Sequence, residues 1–275
     1  MTATTVGAMT TITSRPSAGP LVKEWRQRRG RSQMALALDV GVSPRHLSFV
    51  ETGRSKPSVE LLLTLSDGLD IPLRDRNTLL LAAGYAPRYP QTSLADASME
   101  RVRDSLGRLL DSHAPYPGCV IDRLWNSVLA NEPALRMVEG VPDELIGPPT
   151  NVFRVSLHPD GLASRTHNFP EWASYLLAQL HRLALLTADP AVAELEREVM
   201  QYPNVAALGG WQHRQPVDDP GVLILWRVEV GGVVHSYFTT LTSFGTPQDI
   251  TLSEMAVELF YPADPATEAA LRRQQ

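Results

Sequence analysis

Between Ser32 and Pro57 the chain reads SQMALALDVGVSPRHLSFVETGRSKP, and this stretch gathers side chains suited to reading a DNA duplex. Arg45 and Phe49 lie four residues apart and so share one face of a helix. A guanidinium can fork onto guanine in the major groove, and an apolar ring beside it can touch a thymine methyl. Arg54 and Lys56 follow Gly53, where a cationic loop can meet phosphate. His46 neighbours the same face and is equally compatible with an ordinary surface position. The bland alternative for the stretch is a helical hairpin used only for packing.

The local signals predict the elements that would position these groups. Ser32 is a good N-cap for a helix from Gln33 to Asp39, in which Met34, Leu36, Ala37 and Leu38 are expected to be buried. Gly41 suits a tight connection that needs positive φ. Ser43 followed by Pro44 is a hydroxyl cap with proline at the first helical position, and Leu47 and Val50 point inward. A helix over Leu21–Arg29 precedes this pair. Two more follow, Val59–Asp67 behind Ser58 and Leu73–Ala83 behind Pro72.

The 275 residues suit two domains, and the net charge of −5 hides an asymmetry between them. From Arg15 to Arg88 there are 12 Lys and Arg against 7 Asp and Glu, a surplus of five positive charges; the rest holds 13 against 23. Only the first part is expected to meet nucleic acid. The single cysteine, Cys119, excludes an intramolecular disulfide and a cysteine metal cluster, and is expected to lie in a reducing, cytoplasmic setting. No apolar run approaches the ~20 residues of a membrane span, and the N-terminal MTATTVGAMTTITSRPSAGP lacks the apolar core of a signal peptide.

After a Pro-containing linker, Tyr85–Ser98, the pattern changes. Met99–Ser112 is amphipathic and helical. Cys119–Ile121 and Trp125–Ala130 read as a strand pair turning at Asp122-Arg123. Asn131 caps a helix over Glu132–Val138, Val141–Thr150 is a loop, and Asn151–Leu157 is a short helix. Phe169–Thr187 and Pro190–Gln201 are longer helices, the first with a stripe of Leu176, Leu177, Leu180, Leu183 and Leu186. Val222–Val230, the Gly231-Gly232 turn and Val233–Ser243 make a hairpin, Ile250–Phe260 is a further strand, and Ala263–Gln275 is a polar tail that could be helical. A strand pair, small helices and three antiparallel strands follow the order of a PAS-like sensor fold.

Trp125, Trp172, Trp211, Trp226 and Tyr237 could line an apolar pocket, with Trp125 and Trp226 on strands preferred; the alternative is that they simply fill a core. His235 and Arg227 could anchor a carboxylate head group, or sit on an outer sheet face. The histidines show no metal-ligand spacing, and Cys119 is read as a small buried hydrophobe or a redox-sensing thiol. No nucleophile elbow, phosphate loop or dinucleotide fingerprint occurs, so no catalytic residue, metal or cofactor is expected.

Gln33, Ala37, Gly41, Ser43, Glu51, Gly53 and Pro57-Ser58 together resemble the helix-turn-helix domain of the phage-repressor-like XRE family, over about Leu21–Ala83. That resemblance implies that Gln33 contacts a phosphate and that Ser43, Pro44 and Arg45 face bases, with Phe49 one turn on. Pro44 departs from the polar residue common at its position. LLDSHAPYPGCVIDRLWNSVLAN and FGTPQDITLSEMAVELFYPAD are similar to the ligand-binding domain of MmyB-like transcription regulators, over about Ser98–Asp264. This implies a repressor or activator whose second domain holds a small apolar molecule such as a fatty acid.

The expected architecture is an all-α five-helix domain over 20–84 and an α+β PAS-like domain with an antiparallel sheet over 99–264. A disordered arm (1–19), a linker (85–98) and a C-terminal tail (265–275) complete it. The expected protein is not an enzyme. It is a homodimer that binds a double-stranded operator and no membrane. A DNA-tethered redox sensor or enzyme, and an antitoxin-like interaction protein, are the alternatives.

Overall fold

The computed structural model describes residues 17–187, 189–210 and 223–273. They fall into two compact units, divided between Pro90 and Gln91.

The first unit holds helices α1 (Ala18–Arg28), α2 (Gln33–Asp39), α3 (Pro44–Glu51), α4 (Val59–Gly68) and α5 (Leu73–Ala82). Ser32, Ser43 and Ser58 each accept a backbone N–H of the helix they precede, as their cap positions predict. Gly41 takes φ +70° in the turn between α2 and α3, a conformation that would strain any residue with a Cβ. Val22, Trp25, Leu36, Leu47, Leu65 and Leu80 form the core. Two expectations fail here. Ala18 and Gly19 belong to α1 and are buried, so the helix begins inside the expected arm. Met34 and Leu38 are exposed at 67% and 80%; α2 buries only Leu36 and Ala37, because it packs on one side alone.

The second unit runs α6 (Glu100–Ser112), β1 (Gly118–Ile121), β2 (Asn126–Ala130), α7 (Glu132–Met137), α8 (Asp143–Ile146), β3 (Thr150–Asn151) and α9 (Val152–Leu157). It continues with α10 (Phe169–Thr187), α11 (Pro190–Val199), α12 (Pro203–Ala206), β4 (Trp226–Val230), β5 (Val233–Ser243), α13 (Ile250–Ser253), β6 (Ala256–Pro262) and α14 (Pro265–Arg272). The strands form one sheet in the order β3-β2-β1-β6-β5-β4, with every neighbouring pair antiparallel, a PAS-like arrangement.

Alternation sorts the central strands onto two faces. Val120 and Val257 join Leu106 and Leu110 of α6 on one face. A side chain at Gly118 would collide with Leu110 and Leu259, so α6 lies close against β1. Cys119, Glu258 and Phe260 point to the other face, under α7, α9 and α10, where the larger core sits.

Several expected elements change. The turn after β1 extends through Trp125, which takes φ +61°, because the Asp122 carboxylate accepts the backbone N–H groups of Leu124 and Asn126 and holds a tight loop. Trp125 is therefore not on a strand. The expected loop Val141–Thr150 contains α8 and the start of β3, and the stretch Ile250–Phe260 divides into α13 and β6. Leu223–Leu225 lie outside the hairpin strand, which starts at Trp226. Leu186 is 50% exposed, beyond the reach of the α10 contact stripe. The expected tail is α14, whose Leu271 joins the main core and whose Thr267 hydroxyl accepts the Ser236 N–H at 2.9 Å.

Candidate functional site

In the first unit, the exposed start of α3 presents Ser43, Pro44, Arg45 and His46, with Phe49 half-buried behind them. The Ser43 hydroxyl oxygen accepts the His46 N–H at 3.1 Å, and its own proton and second lone pair are left for outward contacts. The Arg45 guanidinium lies 5.4 Å from the centre of the Phe49 ring, and that of Arg54 lies 6.0 Å from it. The ring thus holds two exposed cations at one helix face. Lys56 lies over Tyr85 at 4.6 Å.

Behind this face is a buried ion pair that sequence reading missed. Glu51 accepts from Arg26 Nε at 2.6 Å and Nη2 at 2.9 Å, and from Gln33 Nε2 at 2.7 Å. Burial alone would raise the Glu51 pKa, but the bonds from Arg26 and Gln33 and the Arg26 charge outweigh it, and the net shift is downward. The pair ties α1 to the end of α3, 25 residues away. Gln33 is engaged here, so a phosphate contact is left to its second amide proton.

In the second unit, a cavity lies between the sheet and the small helices, with about 770 Å3 of space counting its open mouth. Cys119, Ser127, Glu258 and Phe260 form the sheet side, and Leu135 and Met137 of α7, Val155 of α9, and Trp172 and Leu176 of α10 close it. Trp172 and Trp226 stack with ring centres 5.3 Å apart and planes 10° apart. The Trp226 Nε1–H donates to Thr166 Oγ1 at 3.0 Å, whereas Trp172 Nε1 is buried without a partner.

Of the expected pocket residues, the structure brings Trp172 and Trp226 to the cavity wall. Trp125 packs instead on Phe153 at 4.7 Å from its turn. Tyr237 is 1% exposed and fills the layer behind Trp226. Arg227 points outward on an exposed sheet position, so it anchors nothing in the cavity. His235 is 1% exposed, its ring nitrogens have no partner, and burial lowers its pKa against the opposing charge of Asp264. A neutral, enclosed imidazole off the cavity wall is no carboxylate anchor. Trp211 lies outside the described residues. Cys119 does reach the wall, but burial, and then the nearby Glu258, push its thiol pKa far above the usual range, opposite to what a redox-reactive thiolate needs.

Glu258 was not foreseen. It faces Cys119 across β1 and β6, is 4% exposed, and its carboxyl pKa is pushed up to about 7 by burial, against a hydrogen bond from Thr239. The available signal was its alternation with Phe260 in AVELFYP, which puts both on one face. Among the described residues no group of His, Cys, Asp and Glu could hold a metal, and no helix is long and apolar enough to cross a membrane.

These two sites sit in two recognisable domains. Residues 102–273 match the family described as MmyB-like transcription regulator ligand binding domain, and residues 22–75 match a helix-turn-helix family. The first match spans more than half of the chain, so the chain belongs to the MmyB-like transcription regulators. It is a DNA-binding transcriptional regulator that carries a ligand-binding domain, a content that points away from an enzyme. No curated protein matches the chain. Among solved structures, "Structure of an RNA-binding Light-Oxygen-Voltage Receptor" aligns over 92% of this chain and 60% of that one, with 13% identity and a TM-score of 0.25. A likeness that weak carries no argument.

Proposed function

We propose that this protein is a sequence-specific operator-binding regulator whose DNA affinity is set by a small apolar molecule held in the cavity of its second unit. The stacked Trp172–Trp226 wall carries this reading: two large rings beside each other in a mostly apolar lining suit an apolar ligand body. At the other end of the chain, Arg45 reads a base edge beside Phe49, Ser43 and Pro44 fit the groove, and Arg54, Lys56 and Gln33 meet phosphate. One such unit makes few contacts, so a homodimer on a two-fold related operator supplies the affinity. The ligand regulates only if it binds the two operator-affinity states unequally.

Native mass spectrometry of the purified full chain tests the cavity, with a bound small molecule expected. Operator titrations before and after its extraction test the coupling, with a changed affinity expected. The same affinity with the cavity filled and empty would reject regulation by ligand. A docking module of the antitoxin kind would instead have a solid second unit and a large apolar exterior, and the open cavity favours the sensor.

A further inference from the structure

The cavity has one feature that a container for hydrocarbon does not need. Glu258 is 4% exposed and stands in its wall, yet its Oε2 has no hydrogen-bond partner. Thr239 is the side chain that bonds to the carboxyl. Among the described residues no Lys, Arg or His lines the cavity, whose other polar side chains include those of Ser127, Thr150 and Ser156. An acceptor left without a partner in apolar surroundings costs free energy until a donor arrives, and an ionised one costs more.

We propose that Glu258 recognises the polar end of the ligand, and that this end is a hydrogen-bond donor, bound most tightly when it is a protonated amine on an apolar body. The reading rests on the cavity being the ligand site. A cationic donor would turn an isolated buried carboxylate into a charge-assisted pair. A hydroxyl would satisfy the lone pair without neutralising the charge. A carboxylate head would place two anions in one apolar site with no cation to balance them. Trp172 Nε1, the other unpartnered polar atom in the wall among the described residues, is a single neutral donor and cannot hold an ionised head group against Glu258. Arg227 and His235, the groups that could have served a fatty acid, do not reach the cavity.

The test uses the full chain freed of small molecules, titrated with dodecylamine, dodecanol and dodecanoate, each below its micelle concentration, at about pH 8, where the first is a cation and the last an anion. Quenching of tryptophan emission reports binding beside the stacked pair. The expected order is amine, alcohol, carboxylate, with the amine about tenfold or more tighter than the carboxylate. In Glu258→Gln that ratio should collapse towards one. A carboxylate that binds the wild type as tightly as the amine overturns the assignment of Glu258 and leaves the cavity reading standing. A chain that binds none of the three overturns the cavity reading and this one with it. The order on the wild type decides by itself, so a variant that failed to fold would not weaken the test.

Discussion

Replacing Glu258 with glutamine should change how the stability of the ligand-free protein depends on pH. Burial carries this carboxyl from an ordinary value of 4.5 up to about 7. Between those values the native chain keeps a proton that the unfolded chain has lost, so stability falls as pH rises through the window. The contribution is complete below the unfolded value and fully lost above the folded one. A gap of that size is worth about 3 kcal/mol, of which about 2–3 kcal/mol falls between pH 5 and pH 8. Glutamine has nearly the same shape, can still accept from the Thr239 hydroxyl, and does not titrate. Any fixed cost of its buried amide is the same at both pH values and cancels in the difference. Urea unfolding of wild type and Glu258→Gln at about pH 5 and about pH 8 measures it; four of the five tryptophans lie after residue 98, so emission follows mainly the second unit. The stability gap between the two proteins should shift in favour of the variant by about 2–3 kcal/mol on going to the higher pH. Parallel pH profiles would show that the carboxyl is not held neutral by its surroundings, and the account of the cavity wall would be wrong.

Glu51→Ala should cost about 3–5 kcal/mol in thermal or urea unfolding, because it strands Arg26, whose side chain is 10% exposed against 1% for Glu51. Arg45→Ala should weaken operator binding by about 1–3 kcal/mol and relax preference at one base pair, whereas Arg54→Ala should weaken all sequences about equally and flatten the salt dependence. Titrations over several operators separate these outcomes, and equal losses on every sequence for Arg45→Ala would remove it from the base-reading position. His235 is held neutral by burial, so stability should fall as pH drops below about 6.5, and His235→Phe should lose that part of the acid sensitivity in unfolding curves.

The first unit was legible because its signals are local. Ser32, Ser43 and Ser58 cap the helices that follow them, and Gly41 turns, all within four residues of the groups they serve. The partnership of Arg26 with Glu51 was not, since it joins residues 25 apart and each looks like an ordinary surface charge in its own window. In the second unit the succession of elements along a PAS-like chain came through, but the order of strands in the sheet and the ends of elements did not. Asp122 tightens a turn that alternation alone would have continued as strand through Trp125. That α14 docks on the core was not legible, because its three buried positions, Thr267, Ala270 and Leu271, are a minority in a polar segment.

The sequence by itself determined that a basic helical module with a reading face precedes an acidic α+β partner rich in rings, because caps, turns, periodicity and charge are written in neighbouring residues. Only the tertiary structure decided which rings enclose the cavity and which carboxyl looks into it. Trp226 and Tyr237 face each other across the β4–β5 pair, yet Trp226 lines the cavity and Tyr237 fills the layer behind. The difference comes from α10 setting Trp172 against Trp226. Glu258 sits under the same roof because β6 pairs with β1 in the register that sets it opposite Cys119, a choice made by strands more than a hundred residues apart.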